Sequence, residues 1–396
     1  MTEHADVLIA GGGVVGSSTA FFLTGPVGRA AGFKGRVVVV EPDPTYADCS
    51  TARSAGGIRM QFSTPENIRM SAFGSTFIKA IDQWLAVEGE RVDINYREAA
   101  YLFVATQQGM PILEQNHRTQ TGEGHAVALL DPAALKARFP WLSVDGIAGG
   151  SLGLKDEGWM DPYSLLQAFK RKARAQGAVY VTDRVVSLER QGDRVVGATL
   201  QSGRRIAVGA VVNAAGPRAA EIARMAGIEL PVRPRKRSVF TFQCKEKLGF
   251  FPLLIDVTGA WVRPEGDGYI CGISPPEDQD PDTLDLEVEH AQFDEVVWPA
   301  IATRVPAFEQ IKQGRAWAGH YEYNTLDQNA LLGLHPGSPN LYFANGFSGH
   351  GLQQSPATGR AVAELLAHGR YVSLDLSRFS VARVVDGRAV KELNVV

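Results

Sequence analysis

The run Asp6-Val7-Leu8-Ile9-Ala10 passes directly into Gly11-Gly12-Gly13-Val14-Val15-Gly16. A short apolar run bounded in this way reads as a buried strand, and Val14 to Leu23, rich in small residues, reads as the helix after it. The glycines between them follow the G-x-G-x-x-G pattern. Gly11 makes the tight turn, Gly13 lets backbone approach a pyrophosphate at the helix N-terminus, and Gly16 lets helix pack closely on strand. Val37 to Val40 is a second buried strand, which completes a β-α-β unit with a parallel sheet and a right-handed crossover. It ends in Glu41, followed by Pro42. A carboxylate there accepts hydrogen bonds from ribose hydroxyls and disfavours a 2′-phosphate. Glu41 lies 25 residues beyond Gly16. The insert from Gly25 to Gly32 absorbs the excess over the usual spacing of about 20. The chain therefore opens with a dinucleotide-binding unit.

Composition narrows the remaining options. At 396 residues, two or three domains are expected. A 45% hydrophobic and 21% charged content excludes global disorder. A net charge of −3 is no footprint for nucleic acid. Glycine, at 42 residues, exceeds its usual share without any period, so its surplus marks tight turns and close approaches. No apolar run reaches the roughly 20 residues of a transmembrane helix. The acidic start, Met1 to Asp6, lacks the basic region of a secretory signal, so a cytoplasmic protein is expected. Cys49, Cys244 and Cys271 are far apart and the eight histidines are scattered, so isolated thiols and no metal site are expected.

Further along, Ser63-Thr64-Pro65-Glu66 reads as a capping box opening a helix. Phe73, Phe77, Ile81 and Trp84 form its core-facing stripe. Residues 92–150 are irregular and mixed. A helix runs from Asp161-Pro162 to Ala175. Ala178 to Val181 and Val185 to Leu188 are strand-like, and Asp193–Leu200 with Arg204–Ala210 forms a hairpin about Ser202-Gly203. Val211 to Gly216 is a further strand ending in glycine. Residues 232–325 alternate in strand fashion, with one helix near 289–304. Leu341–Ala344 is a strand, Gly346 to Gly351 a turn, and Ser355 to Ala367 a helix. The fold class is α/β with mixed α+β character: a Rossmann-type domain with a parallel sheet, interleaved with a domain built on a mixed antiparallel sheet. The first takes residues 1–90, 151–228 and 326–375, the second 91–150 and 229–325, leaving a tail at 376–396. The basic run Arg233 to Arg237 reads as a solvated face.

Four segments in order resemble the D-amino-acid oxidase, glycine oxidase and sarcosine oxidase group of flavoproteins. Cys49-Ser50-Thr51-Ala52-Arg53-Ser54-Ala55-Gly56-Gly57-Ile58-Arg59 looks like its flavin-facing segment. Val211 to Pro217, containing Ala215 and Gly216, looks like its strand beside the adenosine. Trp317-Ala318-Gly319, then Thr325-Leu326-Asp327, resembles its active-site strand and turn. Gly346-Phe347-Ser348-Gly349-His350-Gly351, followed by Leu352, Gln353, Pro356 and Gly359, resembles its flavin-ring loop. In overall look the chain is similar to the bacterial branch near the mitochondrial FAD-dependent oxidoreductase domain-containing proteins. The resemblance implies FAD. Its cofactor residues would be Gly11, Gly13, Val14, Val15, Gly16, Glu41, Pro42, Ser50, Thr51, Arg53, Ser54, Gly56, Gly57, Ile58, Val185, Ala215, Gly216 and Ser348 to Gln353. Backbone N–H groups at 348–351 and a helix end near Ser355 suit the N1–C2=O edge of the ring, where negative charge collects on reduction. Covalent relatives use a cysteine or histidine that this chain lacks at both positions, so FAD is expected to be held non-covalently.

The resemblance further implies oxidation of a C–N bond, by hydride transfer to flavin N5, in an amino acid or N-substituted amino acid. Arg59 aligns with the family's carboxylate-gripping arginine, and a guanidinium suits a bidentate grip. Tyr321 and Tyr323 would line the pocket from one strand face, with His320 and Glu322 on the other. Gln353 stands where sarcosine oxidases carry a second anchoring lysine, and Tyr269 to Ile273 offers no oxygen-activating lysine. The acceptor is thus either oxygen or a quinone or carrier protein. Two alternatives stay open: a flavin-containing assembly or scaffold protein with little turnover, and oxidation of a 2-hydroxy acid or glycerol-phosphate-type alcohol.

Overall fold

A computed structural model describes residues 3–394; Met1, Thr2, Val395 and Val396, which bound the expected first domain and tail, lie outside the described residues. The strand Glu3–Ala10 pairs parallel with Val37–Glu41 on one side and Arg205–Asn213 on the other. The sheet continues to Val179–Thr182 at one edge and to Arg194–Leu200 and Val185–Gln191 at the other. Leu341–Asn345 pairs parallel with Val211–Asn213, so the far half of that long strand has a different neighbour from its near half. Alternate side chains go to opposite faces. Val7, Ile9, Val37 and Val39 pack with Phe77, Phe169 and Val362 from three helices, while Leu8, Ala10, Val38 and Val40 pack with the helix Ala219–Met225. Burial on both faces is why Val37 to Val40 shows no alternation.

A second sheet runs in the order Ile311–Asn324, Val232–Cys244, Gly268–Gly272, Trp261–Glu265, Leu253–Ile255, Tyr101–Ala105, Gly149–Gly153, Val127–Leu130. Its pairs are antiparallel except Leu253–Ile255 with Tyr101–Ala105. The boundary expected at 150/151 cuts the strand Gly149–Gly153, which belongs wholly to this sheet. No helix among the described residues is long and apolar enough to cross a membrane.

Three local expectations change. The helix Pro65–Lys79 has no capping box: Ser63 and Thr64 give their N–H groups to Glu392, and Glu66 pairs with Arg378. A carboxylate brought from the far end of the chain thus replaces the local cap. The helix expected from Ser355 begins at Gly351 and ends at His368. Pro356 is tolerated inside it because the Ser355 hydroxyl donates to the Leu352 carbonyl, the acceptor that a proline leaves unused. Arg205–Asn213 is one strand where two were expected. Within the segment expected as a tail, residues 376–394 are bound to the body of the protein: Val381 donates to the Leu332 carbonyl, and Arg383 pairs with Asp327. The aromatic stripe does face the core, with Phe77 stacked on Phe169 and Trp84 at 5.3 Å each.

Candidate functional site

The two sheets share one cavity of about 530 Å³. Gly11, Gly13, Val14 and Val15 line one part of it, with Glu41 and Pro42. Gly11 has φ +103°, and a Cβ there would lie 2.3 Å from the Ala214 carbonyl oxygen, so no other residue fits the turn. Glu41 accepts from the Gly12 and Asp43 N–H groups at 2.8 and 3.0 Å. Burial raises its pKa above the usual carboxylate value against those bonds. Val185, Ala215 and Gly216 lie on the wall, as do Ser50, Thr51, Arg53, Ser54 and Gly57. The remaining wall carries Gly349, His350, Gly351, Leu352 and Gln353, facing Arg59 and Tyr321.

Five expected residues stand off this wall. A Cβ on Gly16 would sit 2.0 Å from the Gly11 oxygen, so Gly16 keeps its packing role without reaching the cavity. Gly56 presses on the Met160 carbonyl, and Ile58 is fully buried in the core. Ser348 is buried at φ +50°, its hydroxyl accepting from the Asn324 N–H and donating to the Gly346 carbonyl, so it braces the loop. Tyr323 opens on a smaller side pocket, where its hydroxyl meets Gln328.

Glu322 and His320 correct the expected strand geometry. Both line the cavity together with Tyr321, because the strand Ile311–Asn324 crosses the cavity and presents both faces to it. Glu322 accepts from the Gly346 N–H at 3.1 Å, and its own carbonyl accepts from the Ser348 N–H. Burial pushes its carboxyl up to about 8. A carboxyl raised on folding adds stability below its unfolded value that is lost as pH rises through about 8. Glu322→Gln should therefore gain on the native protein between pH 5 and 9, read as the difference between the two melting temperatures; a difference flat with pH would contradict this.

Arg59 is 3% exposed. Its guanidinium lies 4.1 Å over the Phe62 ring and donates to the Gln61 and Asn394 carbonyls. Its Nη2 also lies 3.2 Å from His350 Nε2. A guanidinium can only donate, so that nitrogen of His350 carries the lone pair. Burial and the neighbouring Arg59 push His350 down to about 3, in keeping with a neutral ring. No carboxylate of the described residues lies within ion-pair distance of Arg59. Burial lowers the pKa of Arg59 from its ordinary value, with Tyr101, Glu392 and Glu157 acting the other way. Gln353 uses its side-chain oxygen to accept from the Arg59 backbone N–H at 2.7 Å, so it fixes that backbone and adds no second cation.

Other wall residues escaped the sequence reading. The Tyr101 hydroxyl occupies the space a Cβ on Gly57 would take, and Leu253, Ile255 and Trp261 lie on the wall from the neighbouring strands of its sheet. No local pattern distinguishes these residues from ordinary strand core. The basic run is not a solvated face either. Arg235 pairs with Asp282, Lys236 with Asp285 and Glu289, and Arg237 with Asp280 in a buried, two-pronged contact. These pairs hold the segment 277–289 over the cavity, with Leu284 and Leu286 on its wall.

The wall suits a long ligand carrying phosphates and an electron-rich ring edge. The helices Val14–Thr24 and Gly351–His368 both begin on it without side-chain caps, presenting free N–H groups and positive helix ends. The Ser50 hydroxyl is buried on the same wall with no hydrogen-bond partner. The model of the family described as FAD dependent oxidoreductase matches residues 6–365, and the chain belongs to that family, with FAD as its cofactor. FAD-dependent oxidoreductase domain-containing protein 1 of Xenopus laevis is 44% identical over all of this chain and 85% of its own length. Glycine oxidase of Geobacillus kaustophilus is 28% identical over 97% of this chain and 98% of its own. The crystal structure of L-proline dehydrogenase from P. horikoshii superposes with a TM-score of 0.85, at 26% identity, covering 98% of this chain and 100% of that one.

Proposed function

We propose that the chain oxidises the C–N bond of an amino acid or N-substituted amino acid, giving an imine that hydrolyses. The observation that carries this reading is Arg59, a buried cation on the cavity wall with no protein carboxylate within ion-pair reach among the described residues. Bound FAD would supply the hydride acceptor, held by the residues of the wall from Gly11 to Glu41 and from Gly349 to Gln353. Arg59 would grip the substrate carboxylate through its unused N–H groups. Tyr101 and Tyr321 would border the same space, limiting how the α-carbon can turn. Orientation of the C–H bond is then the main contribution of the protein. The amine must be neutral, because its lone pair drives loss of the hydride, and this requires no dedicated general base. The relatives named glycine oxidase and L-proline dehydrogenase support a carboxylate-bearing amine as substrate. Either oxygen or a quinone or carrier protein would take the electrons.

The test is an anaerobic panel of amino acids and N-alkyl amino acids added to the purified flavoprotein. At least one should bleach the visible flavin absorbance, and its decarboxylated amine should not. If no carboxylate-bearing amine bleaches it, or if a hydroxy acid alone does, the reading fails. Dye-linked against oxygen-linked turnover then assigns the acceptor.

A further inference from the structure

We infer that the segment Glu392–Asn394 is a positioning element of the substrate site, fixing the direction in which the Arg59 guanidinium points. This rests on the reading of Arg59 as a carboxylate anchor.

The Asn394 carbonyl accepts from Arg59 Nη2 at 2.6 Å, and the Asn394 side chain donates to the Gln61 carbonyl at 2.6 Å. That same Gln61 carbonyl accepts from Arg59 Nη1. Asn394 thus closes a ring with the residue that holds the other arm of the guanidinium. Glu392 in turn fixes Asn394. Its carboxylate accepts from the Asn394 N–H at 3.0 Å, from the Ser63 N–H and hydroxyl, from the Thr64 N–H and from the Asn67 side chain. The Leu393 N–H donates to the Ser63 hydroxyl. The helix start at Pro65 therefore serves as the base from which the segment reaches Arg59.

The chemistry of the contact argues for positioning over blocking. What meets the guanidinium is a neutral carbonyl, and none of these three residues lies on the cavity wall. Of the five N–H donors of the guanidinium, Nη1 gives one to Gln61 and Nη2 gives both of its own to Asn394 and His350, which leaves the Nε–H and one Nη1–H for a substrate carboxylate. Glu392 supports the charge of Arg59 from beyond ion-pair distance without occupying it. Without the segment, Nη2 loses its short acceptor, and the guanidinium regains rotamers that the grip on a carboxylate must then freeze out.

Two variants test this as holoproteins: a stop after Ala389, and Glu392→Gln, which keeps the side-chain shape if the truncation fails to fold. The probes are acetate, followed by perturbation of the flavin spectrum, and a substrate amino acid beside its amide. Either variant should weaken acetate and raise the substrate KM about 10-fold, one charge-assisted contact's worth. The rate at saturation and the KM of the amide should stay within about twofold. Unchanged acetate affinity in whichever variants fold would overturn the inference while leaving the role of Arg59 intact. Equal losses for acid and amide would mean a merely structural role and would overturn it too. A native protein blind to acetate and to every carboxylate-bearing amine would remove the reading of Arg59, and this inference with it.

Discussion

Arg59→Gln should lower kcat/KM for a carboxylate-bearing substrate by roughly 30- to 5000-fold, while the amide of the same substrate changes by less than about threefold. The magnitude follows from the about 2–5 kcal/mol lost when one member of a buried, hydrogen-bonded charge pair is truncated. Much of that loss is the cost of leaving the other charge buried without its partner. Arg59 meets this condition closely: it is 3% exposed, backed by Phe62, and has no carboxylate of the described residues at ion-pair distance. Glutamine keeps one polar arm but neither the charge nor the fork. Arg59→Lys separates these two contributions. It retains charge but cannot reach the Gln61 and Asn394 carbonyls and a carboxylate from one planar group. Its defect should therefore fall between those of the native protein and Arg59→Gln. Because the interaction is formed on binding and retained afterwards, the loss should appear mainly in KM. Steady-state kinetics with acid and amide side by side would check it. Equal loss for both substrates would mean that Arg59 shapes the pocket without holding a carboxylate.

What could be read along the sequence was whatever is encoded locally. Gly11 to Gly16 between a buried strand and a helix, Val37 to Val40 ending in Glu41, and Asp161 capping the helix Pro162–Ala175 each rest on neighbours a few residues apart. What could not be read depends on partners brought from far away. Ser63-Thr64-Pro65-Glu66 has the spacing of a capping box, yet a carboxylate more than 300 residues downstream takes the donors. The basic strand looks solvated until the acids of 280–289 fold over it. Glu322 was placed by strand alternation on a face away from the site. Alternation gives the side of a strand but not what covers it, and here the cavity touches both. The substrate end of the wall, with Tyr101, Leu253 and Trp261, has side chains indistinguishable in sequence from strand core.

Asp327→Ala should destabilise the fold by about 3–5 kcal/mol, the cost of leaving a buried cation without its partner. Asp327 belongs to the turn that resembles an active-site feature of the family, but it lies away from the cavity wall. Its side chain is fully buried and meets Arg383 through two hydrogen bonds of 2.8 and 3.0 Å. The same carboxylate accepts from the Asn324 side chain and from the N–H groups of Asn329 and Val390. It therefore joins the end of the site strand to the 376–394 segment. Alanine would strand Arg383, itself 2% exposed, and would also orphan two backbone donors. The measurement is the urea midpoint at fixed excess FAD, since bound cofactor adds its own stabilisation. Removing both charges should be far milder. Asp327→Leu combined with Arg383→Met keeps most of the buried volume, and such replacements are often neutral or stabilising. A double-mutant cycle would give the coupling directly. If Asp327→Ala melted with the native protein yet lost activity, Asp327 would belong to the chemistry and not to the frame. If the double variant were as unstable as the single one, the donors of Asn329 and Val390 would be the main cost, not the stranded charge.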